Sequence, residues 1–165
     1  MINIRDAQIT DLPDLLRIYN QAILTTTATF DIEVQTLAAR TEWFHHYGGQ
    51  YPLIVAEENG EIRGYASLSR FREKEAYART VESSVYIDEQ AHGRGIGKAL
   101  MQELLQRAVA LHHHVVIASI TSGNETSVRL HTKLGFEFVG RLKEVGYKFD
   151  KWQDVDYYQI FLPNC

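Results

Sequence analysis

Apolar and polar residues along the chain follow two different periods. Residues that recur every three to four positions predict helices, and strict alternation or a short apolar run predicts strands. In chain order these patterns predict a strand at 2–4, helices at 13–23 and 36–46, strands at 53–56, 62–68 and 80–87, a helix at 96–111, a strand at 115–120, a helix at 124–134, and strands at 136–139 and 157–161. The alternation of helices and strands, without an internal repeat or a linker, predicts one α/β domain over residues 1–165.

Composition and charge exclude several classes of function. Of the 165 residues, 45% are hydrophobic and 23% are charged, which is typical of a soluble globular protein. The net charge of −4 and the scattered Lys and Arg residues argue against partners such as nucleic acid or an anionic membrane surface. No apolar run is long enough for a signal peptide or a membrane span. The single cysteine, Cys165, cannot form an internal disulfide and is poorly placed for catalysis, so we expect a cytoplasmic protein.

A glycine-rich turn, His92-Gly-Arg-Gly-Ile-Gly97, lies between a predicted strand and a predicted helix. Free backbone N–H groups at a helix start, approached closely through glycines, favour a bound phosphate or pyrophosphate. A P-loop is excluded because its first glycine would fall at His92 and Ala99 follows Lys98. The dinucleotide-binding motif is excluded because Lys98 stands at its third glycine. The alternative is an ordinary turn between a strand and a helix.

At this turn the sequence resembles the pyrophosphate loop of the GNAT superfamily of N-acetyltransferases, Q/R-x-x-G-x-G/A, with His92 instead of the usual Gln or Arg. Further stretches are similar to its phosphinothricin acetyltransferase-like branch. They are Thr29-Phe30, Tyr51-Pro52, Val55-Ala56-Glu57, Ala76-Tyr77, Thr80-Val-Glu-Ser83, Val85-Tyr86, Ser127-Val-Arg-Leu-His131, Leu134-Gly135, Gly146-Tyr-Lys148, Trp152 and Asp154-Val155. The resemblance implies a central mixed, mostly antiparallel twisted sheet flanked by helices, acetyl-CoA as co-substrate, transfer to a small-molecule amine, and a homodimer.

The resemblance also implies which residues bind the coenzyme. These are Val85, Tyr86, Ile87, His92, Gly93, Arg94, Gly95, Ile96, Gly97, Lys98, Asn124 and Ser127. In the family, the strand at residues 80–87 separates from its neighbour, and the N–H of Val85 then polarises the thioester carbonyl. Asn124 is also a good helix N-cap, and both roles can hold together.

Three further predictions concern catalysis and acceptor binding. Glu82 is the candidate general base, against the alternative of a solvated carboxylate on a strand. His131 is either the acid that protonates the leaving thiolate or a packed histidine. The acceptor pocket is predicted from basic side chains that suit a carboxylate or phosphinate and from aromatic walls; it comprises Phe30, Arg72, Lys74, Glu75, Ala76, Tyr77, Glu82 and Tyr147, with Trp152 nearby.

Two histidine clusters, His45-His46 and His112-His-His114, lie at predicted helix ends. There their positive charge complements the helix dipole, and we expect no metal. Three hypotheses of function stay open: an N-acetyltransferase of phosphinothricin, methionine sulfone or methionine sulfoximine; an N-acetyltransferase of a protein N-terminus or lysine; and a non-catalytic module that senses acetyl-CoA.

Overall fold

The computed structural model describes residues 1–163, so Cys165 lies outside the described residues. Seven strands form one sheet in the order β1-β2-β3-β4-β5-β7-β6. Their bounds are β1 Ile2–Asp6, β2 Leu53–Glu58, β3 Glu61–Arg70, β4 Thr80–Ile87, β5 Val115–Thr121, β6 Glu137–Lys148 and β7 Lys151–Phe161. All neighbouring strands are antiparallel except β4 and β5. The predicted mixed, mostly antiparallel sheet is therefore confirmed.

Four helices flank this sheet: α1 Leu12–Thr25, α2 Leu37–Phe44, α3 Ile96–Ala110 and α4 Glu125–Lys133. Side chains cap two of them. The Thr36 hydroxyl accepts a hydrogen bond from the Ala39 N–H at 3.1 Å, and the Asn124 side chain accepts one from the Ser127 N–H at 3.2 Å. Each such cap stabilises a helix by about 1 kcal/mol. Among residues 1–163, none of the helices combines the length and the hydrophobicity that a membrane span requires.

Two apolar cores lie on opposite faces of the sheet, and alternation along β2 shows how one strand serves both. Ile54 and Ala56 pack with the buried stripe of α3, while Leu53 and Val55 pack with the buried side chains of α1. All four residues are at most 6% exposed. Full burial of a large aliphatic side chain contributes about 1.5–3 kcal/mol, so these two layers fix α1 and α3 across the sheet from each other.

The β6–β7 hairpin is much longer than the predicted strands at 136–139 and 157–161. Register shifts between Phe138 and Gly140 and between Leu142 and Gly146 interrupt the alternation of side chains on β6. Side-chain alternation therefore does not predict the full length of a strand that contains bulges. The two strands meet at a tight turn, Phe149-Asp150, where both residues have φ of 56°. The other predicted elements agree with the structure to within a few residues.

Candidate active site

The strands β4 and β5 are paired over only three residues. The parallel register runs from Thr80↔Val115 to Glu82↔Ile117 and ends there. Beyond this point β4 continues to Ile87 paired with β3, and β5 continues to Thr121 paired with β7. The separation that the resemblance implied is present, and it opens a gap in the middle of the sheet.

Glu82 lies at the last paired position before this gap, and its side chain is half-buried. The Ser119 hydroxyl on β5 donates a hydrogen bond to its Oε2 at 3.0 Å. Burial raises the pKa of the Glu82 carboxyl, and this hydrogen bond and the charge of Arg72 partly oppose the rise. A carboxylate with a raised pKa beside a cleft can take a proton from an amine.

The glycine turn leads directly from the end of β4 into α3. Gly93 and Gly95 have φ of 76° and 79°, in the left-handed region that favours glycine, and a Cβ on either would meet no atom within 4 Å. The first backbone hydrogen bond of α3 joins the Ala99 N–H to the Gly95 carbonyl at 3.0 Å. The N–H groups that precede Ala99 therefore point out of the helix end, where they can bind an anion.

Two side chains of this turn are engaged by neighbouring strands. Nε2 of His92 lies 3.1 Å from the Ile87 carbonyl, at the end of β4. The Arg94 guanidinium forms an ion pair with Glu58, which ends β2. Both contacts hold the turn in place, so its outward-facing groups are chiefly backbone N–H donors.

Helix α4 completes the opposite side of the gap. A Cβ on Gly97 would lie 3.5 Å from Cδ2 of Leu130 and 3.9 Å from the Ile87 side chain. The end of β4, the start of α3 and one face of α4 therefore meet at one place. Asn124 and Ser127, which the sequence assigned to coenzyme binding, lie in the first turn of α4 and hydrogen-bond to each other there.

His131 is 4% exposed and lies in the last turn of α4. Its Nδ1 lies 2.7 Å from the Ser127 carbonyl, and its ring packs edge-on against Phe136 at 4.9 Å between centroids. Burial lowers its pKa, against the opposing effect of that hydrogen bond. The imidazole is therefore neutral at neutral pH, with the Nδ1 proton donated to the carbonyl.

A cluster of tyrosines surrounds a buried arginine on the face of the sheet that carries α1 and α2. Arg40 is 3% exposed and donates a hydrogen bond to the Tyr65 hydroxyl at 2.6 Å. Its guanidinium carbon lies 3.4 Å from the ring centroid of Trp43 and 4.1 Å from that of Tyr19. The ring of Tyr86 packs against Tyr19 at 5.3 Å. The Tyr86 side chain thus belongs to this cluster, which leaves its backbone for the predicted coenzyme contact.

The structure brings together only part of the predicted acceptor set. Arg72 is close enough to influence the Glu82 carboxyl, and the Tyr77 ring packs on Phe71 at 5.7 Å. Lys74, Glu75 and Ala76 are exposed in the connection between β3 and β4.

Phe30 and Tyr147 do not converge on one pocket. The Phe30 ring lies against Gly146, where a Cβ would come within 2.3 Å of its Cε2. Gly146 and Lys148 are buried, whereas Tyr147 between them is 54% exposed and packs edge-on against Trp152 at 4.9 Å. Successive residues of a strand point to opposite faces, so Phe30 and Tyr147 lie on opposite faces of β6.

Comparison with known proteins connects this arrangement to a family. The profile described as "Acetyltransferase (GNAT) domain" matches residues 4–156. The chain belongs to the GNAT acetyltransferase family. This confirms the family predicted from the glycine turn.

Among curated relatives of this GNAT chain, the L-methionine sulfoximine/L-methionine sulfone acetyltransferase of Pseudomonas aeruginosa is 44% identical over 162 residues, covering 97% of this chain and 94% of the relative. The phosphinothricin N-acetyltransferase of Streptomyces coelicolor is 41% identical, with coverage of 96% and 95%. A solved GNAT phosphinothricin acetyltransferase of Sinorhizobium meliloti in complex with acetyl-CoA superimposes with a TM-score of 0.94, at 38% identity and with 98% and 88% of the two chains covered.

Several residues of this GNAT site escaped prediction from the sequence. Ser119 contacts Glu82, and Thr121 and Lys148 contact the segment that carries Phe30. Each is an ordinary strand residue whose partner is distant in sequence, so no local pattern distinguishes it. Only Lys148 offered a signal, because it lies within the matching stretch Gly146-Tyr-Lys148.

The histidine run at 112–114 has structural contacts. Nε2 of His113 lies 2.8 Å from the Gln50 carbonyl, and the His112 carbonyl accepts a hydrogen bond from Nε of Arg79 at 2.9 Å. Within residues 1–163, no group of three or more His, Cys, Asp or Glu side chains is arranged to hold a metal ion.

Proposed function

We propose that this GNAT protein is an acetyl-CoA-dependent N-acetyltransferase of the α-amine of a small amino acid analogue of the phosphinothricin, methionine sulfone or methionine sulfoximine type. The observation that carries the proposal is the half-buried Glu82 at the point where β4 and β5 separate. The relatives that match nearly the whole chain act on acceptors of this type, which supports the choice of acceptor.

The residues around the gap fit acetyl-CoA. The backbone N–H groups at Gly95, Ile96, Gly97 and Lys98 suit its pyrophosphate, and the unpaired edge of β4 from Val85 to Ile87 suits its amide-containing arm. When bound, acetyl-CoA supplies an activated acyl group as a thioester. Asn124 and Ser127 border the same space from α4.

Glu82 acts as the general base. The acceptor amine must lose a proton to become a nucleophile, and the raised pKa of Glu82 brings its basicity closer to that task. Ser119 orients the carboxylate, because its hydroxyl donates to Oε2. The Val85 N–H, on the open edge of β4, donates to the carbonyl oxygen as negative charge develops there.

For His131 we propose the packing role, one of the two that the sequence left open. A buried, neutral imidazole whose Nδ1 proton is donated to the Ser127 carbonyl has no second proton to give at neutral pH. Its contacts with Phe136 and with its own helix support α4 from within.

The acceptor occupies the α1 and α2 face of the gap, next to Glu82. Arg72 provides a positive charge for the carboxylate or the oxygen-bearing centre of the analogue, and Phe30 and Tyr77 provide aromatic walls. Bulky aromatic walls of this kind favour a small molecule over a protein chain.

We also propose that the chain is one domain, works in the cytoplasm and forms a homodimer through the β6–β7 hairpin. Eight large apolar side chains of this hairpin are 48–61% exposed: Phe138, Val139, Leu142, Val145, Tyr147, Phe149, Trp152 and Phe161. An apolar strand at the edge of a sheet is the type of surface that a second copy can cover.

The first test is thiol release from acetyl-CoA with a panel of acceptors: methionine sulfone, methionine sulfoximine, phosphinothricin, a polyamine, an aminoglycoside and peptides with free N-termini. We expect fast release with the first three. Glu82→Gln should lower kcat about 10²–10⁴-fold and leave acetyl-CoA affinity unchanged, because the amide cannot accept the proton. Glu137→Gln, an exposed position on β6, is the matched control.

Each other outcome of this test points to a different function. Faster acetylation of peptides than of amino acid analogues would show that the acceptor is a protein chain. Tight acetyl-CoA binding without turnover of any acceptor would indicate a sensing module. Full activity of Glu82→Gln would remove Glu82 from the mechanism.

A further inference from the structure

Residues 27–31, in the connection between α1 and α2, form an irregular segment that contacts the strands on both sides of the gap in the sheet, and we call it the crossing segment. Three consecutive carbonyls of this segment accept hydrogen bonds from three different strands. Thr121 on β5 donates to the Thr27 carbonyl at 2.7 Å, and Lys148 on β6 donates to the Thr29 carbonyl at 2.8 Å. The Tyr86 hydroxyl on β4 donates more weakly to the Ala28 carbonyl at 3.4 Å.

Two of these donors, Tyr86 and Thr121, lie beyond the point where β4 and β5 separate. Tyr86 is four residues past Glu82 on β4, and Thr121 is four residues past Ile117 on β5, the last pair in register. The crossing segment therefore joins two strands that no longer bond to each other. A side chain of α1 adds a further link, because the Tyr19 hydroxyl bonds to Oγ1 of Thr29 at 2.8 Å and donates to the Asp31 carboxylate.

Phe30 lies between the residues that make these contacts, and its ring has little room to move. Its ring fills the space beside Gly146, where even a methyl group would come within 2.3–2.8 Å of three ring carbons. The carbonyl of the preceding residue is held by Lys148, two positions along β6 from Gly146. The same strand thus fixes both the backbone and the ring of the acceptor wall.

Lys148 is an unusual residue to bury. It is 3% exposed, and its ammonium contacts a backbone carbonyl and lies 5.1 Å from the ring centroid of Phe149. Burial lowers its pKa, and the Asp31 carboxylate on the crossing segment partly opposes this effect. A buried ammonium is unfavourable unless its hydrogen bonds are satisfied, so the contact with the crossing segment is important for both partners.

We propose that Lys148 and Thr121 are positioning residues for acceptor selectivity, which hold the crossing segment over the gap and so keep Phe30 in place as a wall of the acceptor site. This inference rests on the proposed function, because it assumes that the acceptor binds beside Glu82. Neither residue contacts the reacting groups, and both act through the backbone of residues 27–29.

Thr121→Val and Thr121→Ser form the decisive pair of variants. Valine keeps the shape of threonine and removes the donor, whereas serine keeps the donor. With methionine sulfone and acetyl-CoA, Thr121→Val and Lys148→Met should each raise the KM for methionine sulfone about tenfold, equivalent to about 1.4 kcal/mol. The KM for acetyl-CoA should stay within about twofold, because the glycine turn is not involved. Thr121→Ser should behave as the wild type.

Two control variants distinguish loss of the hydrogen bonds to the crossing segment from a general effect of substitution on the protein. Lys143→Met changes an exposed lysine of the same strand, and Thr132→Val makes the same side-chain change on the surface of α4. Both should leave the two KM values unchanged. Gly146→Ala, which displaces the Phe30 ring without removing a donor, should reproduce the rise in KM for methionine sulfone.

Hydrogen exchange of residues 27–31 supplies a readout independent of turnover. Exchange should become faster than in the wild type for Thr121→Val and Lys148→Met, and Thr121→Ser should match the wild type. If wild-type protein acetylates none of methionine sulfone, methionine sulfoximine and phosphinothricin, the proposed function fails, while this exchange pattern still tests whether the two residues hold the segment. Wild-type KM values together with unchanged exchange in Thr121→Val would overturn the positioning role.

Discussion

Glu82 lies at the last point where β4 and β5 are paired, and Ser119, two residues beyond Ile117 on β5, donates a hydrogen bond to it. The position explains two properties of the carboxylate at once. The closed part of the sheet buries it and raises its pKa, and the open part gives an amine access to it. The Ser119 hydroxyl stabilises the ionised form and limits the rise.

Ser119→Ala should therefore alter the dependence of activity on pH. Glu82 must be ionised to accept a proton, so kcat/KM rises with pH through its pKa. Loss of the hydrogen bond raises that pKa further, so the acid limb of the profile should move to higher pH. Activity should fall most at the acid end and approach that of the wild type on the alkaline plateau. A uniform loss of activity at every pH would show that Ser119 does not act through the pKa of Glu82. Thr132→Ala, on the surface of α4, is the control and should leave the pH profile unchanged.

The β6–β7 hairpin is the element that departs most from prediction. Its long strands carry Lys148 and Gly146 to the crossing segment, and its turn places two residues in the left-handed region. Such a turn between antiparallel strands favours Asn or Gly, so Phe149-Asp150 is under mild strain.

Asp150→Gly should relieve part of this strain. We expect a gain of about 0.5 kcal/mol in the free energy of unfolding, seen as a rise in Tm of about 1–2 °C, because glycine adopts positive φ freely. Gly60→Ala in the β2–β3 turn, where φ is 81°, is the reverse change and should lower Tm. A lower Tm for Asp150→Gly would mean that the Asp150 side chain itself stabilises the turn.

On the scale of the whole molecule, the sheet ends at an uncovered strand. β6 is an edge strand, and eight large apolar side chains of its hairpin are 48–61% exposed. The net charge of −4 is too small to keep two copies apart at physiological ionic strength.

Light scattering should therefore give a mass of about twice 18.9 kDa at micromolar concentration. Val145→Lys, in the middle of β6, should shift the protein toward the monomer, because a buried ammonium without a partner is unfavourable. Leu24→Lys makes a similar change at an exposed apolar position on α1 and should leave the mass unchanged. A monomeric wild-type protein would refute the dimer.

The order and type of the elements, the glycine turn and the family could all be predicted from the amino-acid sequence. These depend on periodicity and on short motifs, which reflect interactions between residues close together in the chain. Glu82 is the candidate base because it lies within such a motif, and this role stays a prediction. The hairpin bounds could not be predicted, because bulges remove the period on which the prediction depends.

The contacts between residues distant in sequence became visible in the folded structure. Glu82 and Ser119 are 37 residues apart, and Thr29 and Lys148 are 119 apart. It placed Phe30 and Tyr147 on opposite faces of β6, and it brought Thr121 and Lys148 to the crossing segment. Strand order and register are set by the packing of both sheet faces, and a shift of one residue would turn every side chain to the other face. Contacts of this kind arise from the folded sheet as a whole, and the residues that form them carry no local signal.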